Sequence, residues 1–203
     1  MLDARTASLI KVSTLASRPE YRTQLIEELR IIKSASSATR EELYEVFLQS
    51  YLFAGFPAAL ESVRALEKVF GHESGMLEDR DQLISNYKAH AENGEALYQT
   101  VYAANALRVR EEMIRLSPEL AAWAMIEGYG KTLSRPGLDT KTRELTIVAM
   151  LTQLGWDRQL YSHILGARNV GANNDEIIEA AIIGAKGNKD RLEIAEQLIK
   201  KIV

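Results

Sequence analysis

The apolar residues of this chain recur at intervals of three and four along almost its whole length, and this period constrains the fold more than any other feature. Such spacing places the residues on one face of an α-helix. Clear cases are Leu25-Leu29-Ile32, Leu43-Phe47-Tyr51, Leu145-Val148-Leu151 and Leu160-Ile164-Ala167. No segment of the sequence keeps the alternation of apolar and polar residues that is typical of a half-buried strand. The sequence therefore predicts an all-α fold.

Polar residues and glycines mark where these helices are predicted to begin and end. The segments TREE (39–42) and NNDE (173–176) place a side-chain acceptor three residues ahead of a glutamate, which predicts a capping box at each helix start. Four glycines stand where helices are predicted to end: Gly71, Gly94, Gly155 and Gly171. The polar segment from His72 to about Asn93 is predicted to be a connection with one short helix.

Composition and charge exclude several classes of function. The 203 residues carry a net charge of −3 without any basic run, so nucleic acid is not an expected partner. The chain has no cysteine, which removes disulfides, thiolate metal ligands and cysteine nucleophiles together. With only three histidines in addition, a transition-metal site is not expected.

Hydropathy gives no sign of a targeting or membrane segment. The first residues, MLDARTASLIKVSTLAS, include an acidic residue at position 3 and no long apolar core, so a signal peptide is not expected. No run approaches the roughly 18 apolar residues that a membrane span needs. We therefore expect a cytoplasmic protein that makes no contact with a membrane.

The sequence contains a predicted internal repeat. Residues 2–9 (LDARTASL) match 138–145 (LDTKTREL), and 39–46 (TREELYEV) match 173–180 (NNDEIIEA) at nearly the same offset. Chance similarity between amphipathic helices is the alternative. The predicted organisation is a first repeat at 1–71, a connector and linking helix at 72–115, and a second repeat at 116–203.

Two polar residues stand out in the apolar helices of the second repeat, namely Glu144 and His163. They align with Ser8 and Glu28 of the first repeat, so the two copies differ at these positions. If Glu144 and His163 carry out chemistry, only the second copy does so. The alternative is a structural pair of polar residues at the edge of a core.

The segment SRPGLDTKTREL (134–145), the apolar helix after it, and SHILGARNVGANNDEIIEA (162–180) resemble the carboxymuconolactone decarboxylase family, which is related to the alkylhydroperoxidase AhpD. Residues 116–133 and 39–71 resemble other parts of that family's unit, whereas 181–203 depart from it. The resemblance implies an AhpD-like fold of helical hairpins that assembles as trimers or hexamers. A chain with two copies is then expected to form a homotrimer, which is a pseudo-hexamer.

The resemblance also narrows the chemistry. The AhpD branch uses a Glu, a C-x-x-C pair and a His; Glu144 and His163 match the Glu and the His, whereas the cysteine positions fall on Trp156 and Gln159. Neither an indole nor an amide replaces a thiolate, so a thiol peroxidase activity is excluded for this chain.

The decarboxylase branch needs no thiol and no cofactor, and it implies a small lactone or organic acid as the partner. His163 is the expected proton donor and acceptor, since imidazole transfers protons near neutral pH, and Glu144 is expected to fix its tautomer. Candidate substrate-binding residues are the oxyanion donors Trp156 and Gln159, the carboxylate clamps Arg135, Arg143 and Arg158, and the pocket wall Tyr51 and Phe53.

Other interpretations stay open for these residues. Trp156 is also expected as a packing residue, and Arg143 as one half of a surface ion pair. The stretch YLFAGFP (51–57) is also typical of an ordinary helix–turn–helix corner. The alternative to an enzyme is a non-catalytic helical protein of this descent, which assembles into oligomers or binds a small ligand.

Overall fold

The computed structural model describes residues 1–73 and 80–202, and these residues are helical with no strand among them. The all-α prediction is therefore confirmed. The chain divides into two compact units. The terminal unit comprises Met1–His72 and Gly137–Val203, and the middle unit comprises Glu73–Pro136. No helix in the described part of the chain is both long and apolar enough to span a membrane.

The helices follow one another with short connections. In chain order they are α1 (Ala4–Ala16), α2 (Arg22–Ala35), α3 (Arg40–Gln49), α4 (Tyr51–Ala54), α5 (Phe56–Phe70), α6 (Arg80–Ser85), α7 (Tyr87–Tyr102), α8 (Ala106–Leu116), α9 (Pro118–Trp123), a π-helical stretch (Ala124–Leu133), α10 (Thr140–Leu154), α11 (Asp157–Asn169), α12 (Asn174–Ala185) and α13 (Lys189–Lys200). Two short 3-10 helices lie at Pro19–Tyr21 and Ala103–Asn105.

The predicted helix starts form as the sequence indicates. The side chains of Thr39 and Asn173 each accept a hydrogen bond from the backbone N–H of the glutamate three residues on. The side chain of that glutamate accepts one in return from the backbone N–H of the capping residue, so both capping boxes are complete. Asp3 and Asp139 cap α1 and α10 in the same manner, through the backbone N–H groups of Thr6 and Thr142 at 2.8 and 2.9 Å.

Three of the four predicted stop glycines follow helices, and the fourth does not. Gly71, Gly155 and Gly171 lie at or just beyond the ends of α5, α10 and α11 with positive φ. The prediction for Gly94 is wrong, because this residue lies inside α7. A Cβ at position 94 would stand only 2.0 Å from the carbonyl oxygen of Met125, so glycine is required there by a close helix crossing.

The core of the terminal unit is built around α1 and α10, which pack against each other. Helices α2, α3 and α12 also pack against α1, and α11 and α12 pack against α10. Helix α10 is buried on every side, since each residue from 142 to 152 is buried. Gly184 lets α12 approach α10 closely, because a Cβ there would lie 2.4 Å from the carbonyl oxygen of Ala149.

The division into units differs from the predicted one. Residues 116–136, which were expected to open the second repeat, belong to the middle unit, where the π-helical stretch packs along α7. Within the predicted connector, residues 74–79 lie outside the described residues. Around 72–93, where one short helix was expected, the structure has α6 and the first part of α7, and α7 and α8 continue through the region of the predicted linking helix. The duplication itself stays a prediction.

Candidate active site

Glu144 and His163 are joined by a direct hydrogen bond in the terminal unit. The distance from His163 Nδ1 to Glu144 Oε2 is 2.8 Å. Both side chains are buried, with 7% of the histidine and 2% of the glutamate exposed. A buried carboxylate and imidazole at this distance form a strong, shielded pair rather than a solvated one.

The hairpin of α10 and α11 explains why two residues so far apart in sequence meet. Asp139 starts α10, and Gly155 ends it in the left-handed conformation at φ 82°. Helix α11 begins immediately afterwards at Asp157 and returns along α10. Because α11 returns along α10, His163 comes to lie beside Glu144 although 19 residues separate them in sequence.

The hydrogen bond sets the roles of the two ring nitrogens. A carboxylate can only accept, so Nδ1 of His163 donates its proton to Glu144. In the neutral ring, Nε2 is then left with a free lone pair. Within the described residues no protein group bonds Nε2. Nε2 is therefore the nitrogen that is available to a ligand.

Residues of the first half supply an aromatic wall at this site. The ring of Phe53 in α4 stands edge-on to the His163 ring, with centroids 5.4 Å apart and an angle of 87°. Tyr51 does not face the histidine in this way; its ring stacks on Phe56 at 4.9 Å. Of the two predicted wall residues, the structure thus brings Phe53 to His163.

The structure contradicts both predicted roles of Arg143, namely a carboxylate clamp and one half of a surface ion pair. Arg143 is 1% exposed, so it is not part of a surface ion pair. Its guanidinium donates to Glu45 at 2.8 Å, to Gln49 at 3.1 Å and to the carbonyl oxygen of Leu138 at 3.2 Å. These bonds already use the guanidinium N–H groups that a substrate carboxylate would need. Arg143 therefore joins α10 to α3 instead of serving as a clamp.

The other predicted binding residues lie at the surface. Trp156, Arg158 and Gln159 are exposed at the start of α11, and none of them bonds Glu144 or His163 in the described part of the chain. Trp156 is 57% exposed, so it does not pack in the core of its own chain. Arg135 belongs to the middle unit, where its backbone N–H donates to Thr132.

Two buried polar residues of α3 that support α10 were not predicted from the sequence. Glu45 and Gln49 are each 1% exposed, and Gln49 also donates to Thr146 Oγ1 at 2.7 Å. Their spacing of four places both on one face of α3, which is the only sequence signal they offer. Without the position of α10, that face is indistinguishable from a solvated one.

The segment that carries this site is similar to a known family. Residues 118–186 match the model of the carboxymuconolactone decarboxylase family, and this segment contains Glu144 and His163. The 4-carboxymuconolactone decarboxylase of Acinetobacter baylyi is 30% identical over 79 residues, which are 36% of this chain and 59% of that enzyme.

A second relative matches over a greater length. Peroxisomal protein 2 of Schizosaccharomyces pombe is 28% identical over 154 residues, which are 73% of this chain and 70% of that protein. The match to the decarboxylase, in contrast, spans well under two thirds of the enzyme. The family model, the partial similarity to a decarboxylase and the all-α fold agree, and residues 118–186 of this chain are similar to the carboxymuconolactone decarboxylase family.

Proposed function

We propose that Glu144 and His163 form an acid–base pair that acts on a small lactone or organic acid without a cofactor, in the manner of a carboxymuconolactone decarboxylase. The observation that carries the proposal is the buried bond of 2.8 Å between Nδ1 and Oε2. It holds the imidazole in one orientation and one tautomer, which is what proton transfer through Nε2 requires.

The proposed step is a decarboxylation followed by protonation at carbon. The bond between carbon and the carboxylate breaks, CO₂ leaves, and the electron pair is delocalised toward the lactone carbonyl. His163, whose Nε2 has first taken up a proton from water, then gives this proton to carbon and returns to the neutral form. Glu144 stabilises the imidazolium before this transfer, because its carboxylate lies against the opposite nitrogen.

A non-catalytic assembly protein is the second candidate, and a specific observation favours it. Helix α5 carries large apolar side chains in water, with Phe56 67% and Leu60 60% exposed. Such residues are typical of a surface that a partner covers. The predicted homotrimer would provide that partner.

The names of the relatives bear on the two candidates differently. One is named as a decarboxylase, and the other is named for the peroxisome without a reaction. The cytoplasmic location expected from the sequence stays a prediction.

The decisive experiment follows the ultraviolet absorbance of 4-carboxymuconolactone with the wild-type protein and with His163→Ala. The loss of a general acid typically lowers the rate by about 10²–10⁴-fold, and we expect His163→Ala to do so. Glu144→Gln should also slow turnover, because the amide cannot hold the charge of the imidazolium.

The chain offers a matched control. His72 Nδ1 lies 2.8 Å from Glu67 Oε1, the same distance as in the buried pair, but the His72 side chain is 74% exposed. We expect His72→Ala to leave turnover unchanged. If the wild-type protein converts no compound in a broad set of lactone acids, the enzyme proposal is wrong and the assembly protein remains.

A further inference from the structure

One short segment of the first half contacts both helices that carry the acid–base pair. This segment, residues 45–53, comprises the last turns of α3 and most of α4. At one end it bonds Arg143, the neighbour of Glu144 on α10, and at the other end Phe53 lies against His163 on α11. The half of the chain without an acid–base pair of its own therefore reaches both members of the pair in the other half.

The contact with α10 goes through the side-chain amide of Gln49. Its oxygen accepts from the guanidinium of Arg143 at 3.1 Å, and its nitrogen donates to Thr146 Oγ1 at 2.7 Å. Residues three apart lie on one face of a helix, so one side chain bonds α10 at two successive heights. Gln49 is 1% exposed, and its amide uses both an acceptor and a donor there. Because Glu144 lies between the two bonded residues, these bonds fix the part of α10 that presents its carboxylate.

The contact with α11 goes through the ring of Phe53, and the short helix α4 holds that ring in place. The carbonyl oxygen of the buried Ser50 accepts from the backbone N–H groups of Phe53 and Ala54 at 3.1 and 2.8 Å. Gly55 ends the helix at φ 87°, in the region that favours glycine. Helix α4 also packs against α5 and α10. The Phe53 ring is thus a fixed surface for the neighbouring imidazole.

The His163 imidazole has two fixed neighbours, and they act on different parts of the ring. Glu144 Oε2 holds the atom Nδ1 at 2.8 Å, whereas the Phe53 ring stands at 87° to the imidazole with 5.4 Å between centroids. The last torsion of a histidine side chain has a broad minimum, so a hydrogen bond to one atom leaves the plane of the ring adjustable. An aromatic ring packed at a right angle restricts that plane.

We propose that this segment positions the acid–base pair: Phe53 fixes the plane of the His163 ring, and Gln49 fixes the helix that carries Glu144. The proposal rests on the proposed function, because the direction of Nε2 matters for turnover only if Nε2 transfers a proton. Phe53 acts here through His163, and Gln49 acts through α10. The first half is then required for the reaction although it supplies no group that exchanges a proton.

The tautomer of His163 tests the role of Phe53 directly. In the full chain with ¹⁵N-labelled histidine, a ring nitrogen that carries a proton and one with a lone pair give separate signals. We expect the wild type to hold one tautomer, with the proton on Nδ1. Phe53→Leu keeps an apolar side chain but removes the ring, so it should populate the tautomer with the proton on Nε2. Phe53→Tyr keeps the ring and should keep the single tautomer.

Turnover of 4-carboxymuconolactone gives the second measurement. Misplacement of a catalytic group by a fraction of an ångström lowers the rate of the chemical step, and we expect kcat to fall about tenfold in Phe53→Leu. KM should change less, because the proposed role of the ring is to orient His163. An equal change in KM with kcat unaltered would show that Phe53 only binds the substrate, and the positioning proposal would be wrong.

Phe47→Leu is the matched control for the loss of a ring. Phe47 lies on α3 and is fully buried in the core, and it makes no ring contact with His163 in the described part of the chain. This variant should lose more thermal stability than Phe53→Leu, because Phe53 is only half-buried, and yet keep the His163 tautomer. If both variants disturb the tautomer equally, general loosening explains the effect and the proposal fails.

The role of Gln49 is tested through the proton between His163 and Glu144. Gln49→Leu removes both bonds to α10 and should speed the exchange of the Nδ1 proton with water. Gln153→Leu is the control, since Gln153 lies near the other end of α10 and donates to the Tyr21 hydroxyl at 3.1 Å. Equal exchange rates in the two variants would contradict the role of Gln49.

The two readouts separate this proposal from the proposed function. Turnover by the wild type, with an unchanged tautomer and an unchanged kcat in Phe53→Leu, would overturn the positioning role and leave the acid–base reaction intact. A tautomer that Phe53→Leu disturbs, in a wild-type protein that converts no lactone acid, would support the ring contact and reject the reaction.

Discussion

The hairpin of α1 and α2 and the hairpin of α10 and α11 begin alike and then differ in what they bury. Asp3 and Asp139 cap their helices through a threonine three residues on, with nearly equal distances. The next positions diverge, since α1 has Ala7-Ser8 where α10 has Arg143-Glu144. The same local start thus supports an ordinary apolar helix in one half and a charged, buried helix in the other.

This difference explains why the two halves have different sites. In the second half, the carboxylate of Glu144 points into the hairpin and is matched by His163. In the first half, Ser8 bonds only small groups, among them the Ser37 hydroxyl at 3.0 Å. The acidic residue at the position aligned with His163, Glu28, pairs instead with Lys11 beside an open groove. The pair of the second half is buried on both sides, whereas the Lys11 side chain of the first-half pair is 52% exposed.

The largest expected effect concerns the buried polar contacts between α3 of the first half and α10. Glu45→Ala removes the carboxylate that lies 2.8 Å from the buried guanidinium of Arg143. An uncompensated buried charge typically costs about 3–5 kcal/mol of the free energy of unfolding. Urea unfolding should show a loss of this order.

Glu61→Ala is the control for this prediction, because Glu61 pairs with Arg22 at the surface. We expect that variant to lose about 1 kcal/mol or less. Equal losses in the two variants would show that burial of the Arg143 pair adds nothing, and the contrast between the halves would fail.

A medium effect is expected where α12 approaches α10. Gly184→Ala would place a methyl group 2.4 Å from the carbonyl oxygen of Ala149, so the helices must separate. Overpacking of this kind costs about 1–3 kcal/mol. The aligned position of the first half is Ser50, which carries a side chain and is fully buried. Thermal unfolding should therefore show that only the second half requires glycine here.

Gly128→Ala in the middle unit is a matched control for the added methyl group. A Cβ there meets nothing within 4 Å, and helical alanine is favoured over glycine by about 1 kcal/mol. We expect stability to rise or stay equal. A loss in Gly128→Ala as large as in Gly184→Ala would contradict the close-approach explanation.

The smallest expected effect concerns the two caps, where the halves should behave alike. Asp3→Ala and Asp139→Ala should each lower the free energy of unfolding by about 1 kcal/mol at neutral pH. A difference well above this between the two variants would show that the caps are not equivalent.

The caps also give a dependence on pH. The hydrogen bond from the Thr6 backbone lowers the pKa of Asp3; for Asp139, burial raises the pKa, and the bonds from Thr142 outweigh it and lower the net pKa. A lowered pKa in the folded state means that each carboxylate gives its full stabilisation at a pH above the ordinary aspartate pKa of 3.8, and that this stabilisation is lost as the pH falls through the folded pKa. The difference between wild type and either alanine variant should therefore shrink in acid.

The features that the sequence predicted correctly are those set by neighbours in the chain. The capping boxes at Thr39 and Asn173 need only four consecutive residues, and the helical period needs only one face. The meeting of Glu144 and His163 follows from a hairpin of two adjacent helices. The resemblance to a family added the expectation that the two act together.

The features that were missed depend on elements far apart in sequence. From the sequence alone, Arg143 was expected at the surface, because no local pattern shows that α3 places Glu45 and Gln49 against it. Gly94 looks like a helix terminator because a glycine at a close crossing has the same local signature.

The terminal unit is assembled from the two ends of the chain, and this has a consequence for its folding during synthesis. Helix α1 packs against α10, and Ser13 donates to the carbonyl oxygen of Thr146. Ser13 and Thr146 are 133 residues apart, so at roughly 5–20 residues per second the second partner is made about 7–27 seconds after the first. During that time the apolar face of α1, with Ile10 among its residues, lacks its native cover. The nascent amino-terminal half therefore keeps the part of α1 that α2 and α3 do not cover in contact with water until α10 emerges.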